Sequence, residues 1–595
     1  MKRQFAATLT ALSLASCAAQ PGMQSANRAA PEVAQLSPDQ AFADLGARYL
    51  DAMAQLSPVY ATQLGDHRFD GQLPDITAAG RDHAHKVTQS FLAALKTIDP
   101  AQLTPDNQVD YALLKNQLEY SLWQDDVLQE WAWNPQYYND TASYALYGLV
   151  ARDFAPWPQR FVSIVERMEK LPAFLAESRR QIDVARVPKI YAETVSRQNA
   201  GIMEIVEAAL LPEVEGSGVD RTRFDRALAG LKAAVAEHQK WIDEVLVPGA
   251  KGDFRLGAEK YDTKMRFALM STMDRATLKS RAEKAFVDTR MEMESIARTL
   301  PGCDLPDQQA AIECGLQLTY AKRASRSTLE QTARETLADA TAFAEAKQFV
   351  RMPDGKVQVI TMPKFWQGNA VAYDDPPGPL ERNLPNFYAV SPIPDDWSDE
   401  QADSFLREYN IYMLHDLSIH EGMPGHYLQL DHANQSKSVL RAVLSSGPFV
   451  EGWAVYAEGM MADEGYLGGM ATMDGKLFRL TMLKMRLRSV TNTLLDIGIH
   501  TEGMSREDAM KLMMDGAFQQ EREAAGKWVR ANLSSVQLLS YFTGYAEHMA
   551  LREEAKRRWG EGFTLRRYND AVLSHGSPPV KYARALMFEE PIPAD

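Results

Sequence analysis

The chain has 595 residues, of which 45% are hydrophobic and 24% are charged. These proportions exclude a disordered protein and allow one extensive core or two smaller ones. The formal net charge of −15 argues against a nucleic-acid partner, because phosphate binding needs a basic face and none is evident. One group of cations is expected to form the solvated side of a helix, namely Lys476, Arg479, Lys484, Arg486 and Arg488.

The N-terminus carries the pattern of an export signal. Lys2 and Arg3 precede an apolar run at 5–14, which is too short to span a bilayer and is typical of a signal-peptide core. The next letters, LASC, end at Cys17 and resemble the bacterial lipobox, in which the cysteine is lipidated and becomes the new N-terminus. Residues 1–17 are therefore predicted to be a lipoprotein signal peptide, with Cys17 as the lipidation site.

The residues after Cys17 bear on localisation. An ordinary signal peptide cut after Ala18 or Ala19 is the alternative. Because Ala18 stands where an acidic residue would favour retention in the inner membrane, we expect a lipid anchor at the periplasmic face of the outer membrane. Residues 18–40 are rich in Ala, Gln, Ser and Pro and are predicted to be a flexible tether. A catalytic domain over 41–595 then follows.

Helical periodicity predominates along the rest of the chain. Apolar residues at spacings of three and four predict helices at 41–56, 78–97, 106–130, 158–183, 223–246, 274–299 and 326–348. A short alternating run at 356–362 predicts a strand, and the Pro-rich segment 363–394 follows it. The sequence contains no internal repeat, no apparent transmembrane span and no decisive linker. The predicted fold class is mainly α, with two helical lobes in one domain and a small β element.

Two cysteines beyond Cys17 lie close together in the sequence. Cys303 and Cys314 flank a turn-rich stretch, and an exported chain reaches an oxidising compartment. A disulfide between them is predicted, which would stabilise the short loop by about 2 to 3 kcal/mol in the chain-entropy model. Two free thiols or a metal pair are the alternatives.

The motif HEGMPGH at 420–426 contains the residue types of a catalytic zinc site. Such sites bind the ion through neutral imidazoles and a carboxylate, and a further carboxylate accepts a proton from water. His420 and His426 are therefore candidate ligands, and Glu421 is the candidate general base.

The spacing of the two histidines differs from that of HExxH, in which they are four apart. Six residues of undistorted helix correspond to about 600° of rotation, so His426 would point about 120° away from His420. The helix must therefore break between them. Pro424 lacks an N–H and its ring would collide with the carbonyl of His420, while Gly422 and Gly425 accept the dihedral angles of a bulge. The alternative is that GMPG simply ends a helix and the two histidines are unrelated.

The residues before this motif predict the helix that carries it. Ser398 and Gln401 resemble a capping box at its start. An apolar stripe then leads to His420 at helical spacing through Phe405, Tyr409, Tyr412, Met413 and Leu417. The nearby His415 and His432 have no role in the motif and are assigned to packing or to the surface.

A second motif, EGWAVYAE, covers 451–458, and Gly447-Pro448 before it is typical of a helix start. Glu451 is the candidate third metal ligand. Glu458, seven residues later on the same face, is a candidate acceptor that orients a ligand histidine. The alternative for both is structural, since acidic residues near a helix start are favoured by the macrodipole.

Together these motifs resemble those of a known family. In chain order, the weaker and stronger matches are 58–67, 252–257, HEGMPGHYLQ, EGWAVYAE, LDIGIH at 495–500 and SYFTG at 540–544. They are similar to the signatures of the domain-of-unknown-function 885 family of bacterial proteins, over roughly residues 40 to 590. Tyr427 stands where that family usually has a second histidine after PGH, which puts little in doubt because His426 is the better-placed ligand.

The resemblance implies a mostly helical fold and a peptidase-like site in a cleft or channel. The family is regarded as a relative of helical HExxH zinc metallopeptidases such as thimet oligopeptidase and angiotensin-converting enzyme. Family position also implies roles for Tyr541 as a donor to the oxyanion and for His500 as a second donor or a substrate contact. Asp496, one turn before His500, is expected to fix its tautomer. A purely structural role is the alternative for all three.

The expected function is that of a zinc-dependent hydrolase of the bacterial cell envelope, most simply an oligopeptidase or exopeptidase acting on peptides. One Zn²⁺ would be bound by His420, His426 and Glu451, and the membrane would be contacted only through the lipid anchor. One alternative is a metal hydrolase of another amide or ester, such as a cell-wall fragment. A non-catalytic lipid-anchored binding protein is the other, although a binding protein has no need for a base such as Glu421.

Overall fold

The computed structural model describes residues 36–355, 357–362, 372–381, 383–394 and 397–594. The predicted signal peptide at 1–17, which ends at the lipidation site Cys17, lies outside these residues. Most of the predicted tether at 18–40 also lies outside them. The last residues of that tether are not extended, because the first helix already begins at Pro38. Within the described residues, no helix combines the length and the apolar character that crossing a membrane requires.

The first half of the chain is entirely helical apart from its loops. Its helices are α1 (Pro38–Leu56), α2 (Pro58–Leu64), α3 (Ala78–Leu95), α4 (Pro105–Trp123), α5 (Glu130–Trp133), α6 (Pro135–Val150), α7 (Trp157–Gln181), α8 (Lys189–Gln198), α9 (Gly201–Ile205), α10 (Arg221–Trp241), α11 (Val247–Gly249), α12 (Ala258–Leu269), α13 (Arg275–Ala297), α14 (Gln308–Tyr320) and α15 (Leu329–Lys347). All seven predicted helices are present. Two of them, predicted at 106–130 and 223–246, change into π-helical turns at Gln124–Leu128 and Ile242–Leu246.

A small sheet separates the first fifteen helices from the rest. It contains β1 (Val357–Thr361), β2 (Ala372–Asp375) and β3 (Asn386–Val390), in the order β1-β3-β2. Strand β3 pairs parallel to β1 and antiparallel to β2. The strand predicted at 356–362 is β1, whereas β2 and β3 lie in the Pro-rich segment for which no strand was predicted.

Helices resume after the sheet and carry all of the stronger sequence motifs. They are α16 (Asp399–Glu408), α17 (Ile411–Leu417), α18 (His426–Asn434), α19 (Val439–Val443), α20 (Gly447–Asp463), α21 (Met473–Thr501), α22 (Arg506–Lys511), α23 (Glu521–Leu533), α24 (Ser540–Trp559), α25 (Leu565–Leu573) and α26 (Val580–Met587). The mainly α fold class with a small β element is therefore confirmed.

Two large clusters of buried apolar side chains form the core. One draws its residues from 59–250 and the other from 293–583. The metal-site motifs belong to the second cluster, in which Ile419, Met423 and Trp453 are all at most 2% exposed. The site is thus built into a densely packed part of the fold, where side chains have few alternative positions.

The expectation that the cations of α21 face solvent is wrong. Lys484 is only 3% exposed, and its Nζ donates to Glu408 Oε2 at 2.8 Å. Arg488 pairs with Glu523 of α23. This helix lies against α13, α14 and α17, so Lys484 and Arg488, like Arg479 beside Glu292, pair with acids of neighbouring helices.

The two cysteines after Cys17 are joined. Cys303, in the loop after α13, forms a disulfide with Cys314 of α14, and their Cα atoms are 5.4 Å apart. Cys303 is fully buried in the second hydrophobic cluster. The bond therefore ties this loop to a helix that packs on α21.

Candidate metal centre

The backbone of the HEGMPGH motif breaks as its spacing requires. Helix α17 ends at Leu417, a π-helical turn covers Ser418–Gly422, and α18 begins at His426. Gly425 permits the return of the chain, because a Cβ on it would lie 2.0 Å from the carbonyl oxygen of His420. Two histidines six residues apart can thus reach one point.

The helix before the motif is interrupted, which differs from the single helix expected. The capping box of Ser398 and Gln401 is present at the start of α16. However, α16 ends at Glu408, and Asn410 begins α17 by accepting the N–H groups of Tyr412 and Met413 at 3.1 and 3.3 Å. An Asn side chain that can bond the backbone competes with a continuous helix.

The two histidine rings face each other at right angles. The centroids of His420 and His426 are 4.7 Å apart with an interplanar angle of 85°, and each residue is 8% exposed. Together with Glu421, they offer ligand atoms that all lie within 4.8 Å of one another. This group is close enough to share one ion.

Helix α20 adds Glu451 to the pair of histidines. Its Oε2 lies 3.3 Å from His426 Nε2 and 3.7 Å from His420 Nε2. Two ligands of a tetrahedral zinc ion, each about 2.1 Å from it, are separated by about 3.4 Å. This Oε2 is buried and has no hydrogen-bond partner among the described residues. Two imidazoles and an orphaned carboxylate oxygen fit a divalent metal ion.

Glu421 and Glu451 differ in how they are held. Glu421 Oε2 accepts the backbone N–H of Asp374 in β2 at 3.0 Å, whereas Oε2 of Glu451 has no donor among the residues that the structure describes. The side chain of Glu421 also lines the cavity beside the motif. The geometry therefore keeps Glu451 as the candidate ligand and Glu421 as the candidate base, although Glu421 also lies within ligand distance of the histidines.

Glu458 orients the first histidine from two helical turns beyond Glu451. Its Oε1 lies 2.6 Å from His420 Nδ1 and its side chain is 2% exposed. Holding Nδ1 in this way directs Nε2 toward Glu451, as carboxylates do behind metal-binding histidines. His426 lacks this support, because its buried Nδ1 has no partner within the described part of the chain.

Asp416, which the motif analysis did not single out, lies one turn before His420. It is fully buried, and neither carboxylate oxygen has a hydrogen-bond partner among the described residues. Burial, followed by the charge of Glu458, raises the pKa of Asp416 well above its usual range. An acidic residue four positions before a candidate ligand histidine, on a helix whose other residues are mostly apolar, was the available sequence signal.

Two further residues of EGWAVYAE contact neighbouring parts of the site. Trp453 Nε1 donates to the carbonyl oxygen of Pro424 at 2.9 Å and so fixes the turn of the first motif. Gly452 lets α20 approach α24, since a Cβ there would lie 2.2 Å from the backbone of Gly544. This close crossing brings the start of α24 to the site.

Tyr541 of α24 lines the same cavity as His420 and Glu421. Its hydroxyl oxygen accepts from Arg530 Nη2 at 3.2 Å, which leaves the hydroxyl proton available for a ligand. Burial, and then the negative charge of Glu451, raises the pKa of Tyr541, so the hydroxyl keeps that proton. The structure thus places Tyr541 with the predicted ligands.

The structure does not bring His500 or Asp496 to this group. His500 Nε2 donates to the carbonyl oxygens of Ala531 and Ser534 at 3.0 and 2.8 Å. Asp496 Oδ1 accepts from Tyr261 and from a backbone N–H, and no bond joins Asp496 to His500. Neither residue lines the cavity beside the metal motif. Their expected roles at the site are corrected to roles in packing.

The two unassigned histidines are also structural. His415 Nδ1 is 2.8 Å from the hydroxyl of Tyr466, and His432 Nε2 donates to the carbonyl oxygen of Arg351 at 2.8 Å. Both rings are buried, as expected of packing residues.

A cavity of about 380 Å³ lies beside the motif. Its described lining residues run from Ala372 to Tyr541, and one face of α23 forms the wall that carries most of its cations. Lys527 and Arg530 on that wall were not recognised from the sequence, because single cations on an amphipathic helix usually mark its solvated face.

The sequence matches the family of bacterial proteins of unknown function DUF885 over residues 58–587. This chain belongs to the DUF885 family. Its motifs at 420–426, 451–458 and 540–544 all lie inside the matched segment, so the site described above is part of the family domain.

Two solved structures share the fold. A putative lipoprotein of unknown function from Shewanella oneidensis is 34% identical, covers 92% of this chain and 99% of its own, and superposes with a TM-score of 0.78. A putative lipoprotein from Colwellia psychrerythraea is 15% identical, with coverages of 93% and 99% and a TM-score of 0.72, which shows the fold alone. No functionally curated protein matches this DUF885 chain.

Proposed function

We propose that this DUF885 protein is a zinc-dependent metallopeptidase. One observation carries the proposal: the buried Glu451 Oε2, which lacks any hydrogen-bond donor in the described residues, lies 3.3 and 3.7 Å from the Nε2 atoms of His426 and His420. A buried carboxylate without donors is costly unless a cation complements it. His420, His426 and Glu451 would hold the ion.

Zinc, when bound, supplies Lewis-acid activation of water and of a substrate carbonyl. Glu421 accepts the proton of the attacking water, and its orientation is set by the N–H of Asp374. Tyr541 donates its hydroxyl proton in a hydrogen bond to the oxyanion that develops on the carbonyl. Glu458 keeps His420 in the tautomer whose Nε2 is free for the metal.

The proposed setting is the bacterial cell envelope. The neighbour with 34% identity is described as a putative lipoprotein, and the letters LASC at 14–17 resemble a lipobox. Lipidation of Cys17 would tether the enzyme to the membrane, and Ala18 favours the periplasmic face of the outer membrane. Exchange of Cys17 for Ser should release the protein from the membrane fraction.

Two measurements on the purified full-length protein test the catalytic proposal. Mass spectrometry of the metal content should find one equivalent of zinc in the wild type and none in His420→Ala or His426→Ala. A library of short peptides should then be cleaved by the zinc form and not by these variants. Zinc binding with cleavage of cell-wall fragments alone would favour an amide hydrolase of another kind, and no metal even after zinc addition would favour a binding protein.

A further inference from the structure

One buried cation on the cavity wall has no partner within the described part of the chain. Lys527 of α23 is 5% exposed, yet no hydrogen bond or ion pair joins its Nζ to any described residue. It lines the same cavity as His420 and Glu421. A buried ammonium group without a partner is costly, so proteins rarely keep one unless something complements it.

Two acids that line the same cavity are paired with other cations. Glu523, one turn earlier on α23, pairs with Arg488 and accepts the hydroxyl of Tyr409 at 3.0 Å. Glu408 pairs with Lys484 at 2.8 Å. Glu451 also acts on Lys527 electrostatically but is the proposed ligand of the metal ion, so none of these three acids is paired with Lys527.

A second cation on the same wall, Arg530, lies beside Tyr541. Arg530 lies three residues after Lys527 on α23 and also lines the cavity. Its Nη2 donates to the hydroxyl of Tyr541 at 3.2 Å. Lys527 and Arg530 thus lie about one helical turn apart, and Arg530 contacts Tyr541, the proposed oxyanion donor.

Acidic and cationic side chains therefore line different parts of the cavity. Its metal end carries the carboxylates Glu421 and Glu458, and the α23 wall carries Lys527 and Arg530. The wall attracts an anionic ligand group, whereas at the metal end the charge of a bound ion would be offset by Glu451 and the carboxylates beside it. A group with two oxygens, such as a carboxylate, can accept from both cations at once.

We propose that Lys527 and Arg530 form a binding site for the C-terminal carboxylate of a peptide substrate. The inference rests on the proposed peptidase function and assigns its substrate class, namely peptides cleaved close to a free C-terminus. Three residues of helix rise about 4.5 Å, and an extended peptide advances about 3.3 to 3.6 Å per residue. The peptide bond to be cleaved faces Tyr541. A C-terminal carboxylate one or two residues beyond that bond can therefore reach the site formed by Lys527 and Arg530.

A binding experiment tests this inference without requiring turnover. N-acetylated tetrapeptides randomised at their last two positions are prepared as free acids and as C-terminal amides. Each set is passed over immobilised full-length protein carrying Glu421→Gln, and bound peptides are measured by mass spectrometry. The free acids should bind about 10- to 100-fold more tightly than the amides, as expected for hydrogen bonds to a charged group.

Two further variants in that background link the preference to Lys527. Lys527→Met and Lys527→Gln should lower the affinity for free acids to that for amides and leave amide binding unchanged. Lys511→Met removes an exposed lysine of α22 and should preserve the preference. Thermal melting should show Lys527→Met at least as stable as its parent, because a cation that merely supported the fold would lower stability on removal.

The possible outcomes separate the two proposals. Equal binding of acids and amides, no binding of either, or a preference that survives both Lys527 substitutions would overturn the carboxylate site. Enrichment of amides that contain Asp or Glu would show a site for acidic side chains and would also overturn it. A preference for free acids that depends on Lys527, in a protein that binds no zinc, would support the carboxylate site and refute the peptidase.

Discussion

Glu458 holds His420 in place: its Oε1 lies 2.6 Å from His420 Nδ1, on the same helix as Glu451 and two turns beyond it. One helix therefore supplies both a candidate ligand and the acceptor behind another ligand. Because Glu458 is 2% exposed, water cannot replace it. The proposed metal site therefore depends on α20 for both Glu451 and Glu458.

Exchange of Glu458 for Gln should weaken zinc binding by about 10- to 100-fold, the usual cost of losing a carboxylate behind a metal-binding histidine. Competition with a chelator of known affinity measures the change. Glu464→Gln is the matched control, because Glu464 follows the end of α20 and pairs with Lys347 at 3.7 Å, away from the site. Equal zinc affinities in wild type and Glu458→Gln would show that Glu458 does not orient the ligand.

Gly425→Ala should disrupt the motif. A Cβ there would meet the carbonyl oxygen of His420 at 2.0 Å, so the backbone between the two histidines must shift. We expect loss of zinc and a free energy of unfolding lower by more than about 2 kcal/mol. Gly230→Ala, with nothing within 4 Å of its added Cβ, should instead stabilise α10 by up to about 1 kcal/mol. A zinc-replete Gly425→Ala protein of normal stability would contradict this account.

Substitution of His500 tests whether its role is structural. Exchange for Phe removes the donor to the carbonyl oxygens of Ala531 and Ser534, which should cost about 1 to 3 kcal/mol of stability. Zinc content and turnover per folded molecule should stay at wild-type values. A large fall in kcat without loss of stability would restore His500 to the catalytic site.

The pH dependence of stability should reflect His67. Burial lowers the pKa of this histidine, but hydrogen bonds to Asp70 and Glu381, both 2.8 Å long, outweigh burial and raise the pKa to about 9. The unfolded value is about 6.5, so the charged form stabilises the fold fully below pH 6.5. This contribution, of the order of 2 kcal/mol, is lost as the pH rises toward 9.

Unfolding by urea at pH 6, 7.5 and 9 measures this contribution in wild type and His67→Gln. The stability difference between the two proteins should shrink steadily with rising pH. A difference that stays constant across this range would mean that the His67 ion pairs do not determine it.

Much of the fold and the centre of the site could be predicted from the sequence, because these depend on local patterns. Apolar spacing located α7 and α13 to within two residues at each end, and the Gly and Pro residues between His420 and His426 required the break that the structure has. Features that depend on distant partners were not predictable in this way. The break at Asn410 has a local cause, the cap that its side chain provides, but the apolar stripe concealed it.

Long-range pairing explains the remaining errors. Strands β2 and β3 form in a Pro-rich segment because they pair with each other and with β1, and no local pattern reveals this. Lys484 looks like a surface residue until Glu408 of α16 is placed against it. Lys527 is similar, since its burial becomes apparent only when α23 packs beside the metal motif.

The zinc contents of Glu421→Gln and Glu451→Gln, measured side by side on the full-length protein, decide whether Glu451 is the third ligand and Glu421 the base. The two glutamates are both near the histidines, but only Glu451 has a buried oxygen without a donor between their Nε2 atoms. We expect Glu451→Gln to lose its zinc, and Glu421→Gln to keep one equivalent while peptide cleavage falls by about 10²- to 10⁴-fold. Zinc retained by Glu451→Gln and lost from Glu421→Gln would contradict the assignment of ligand and base.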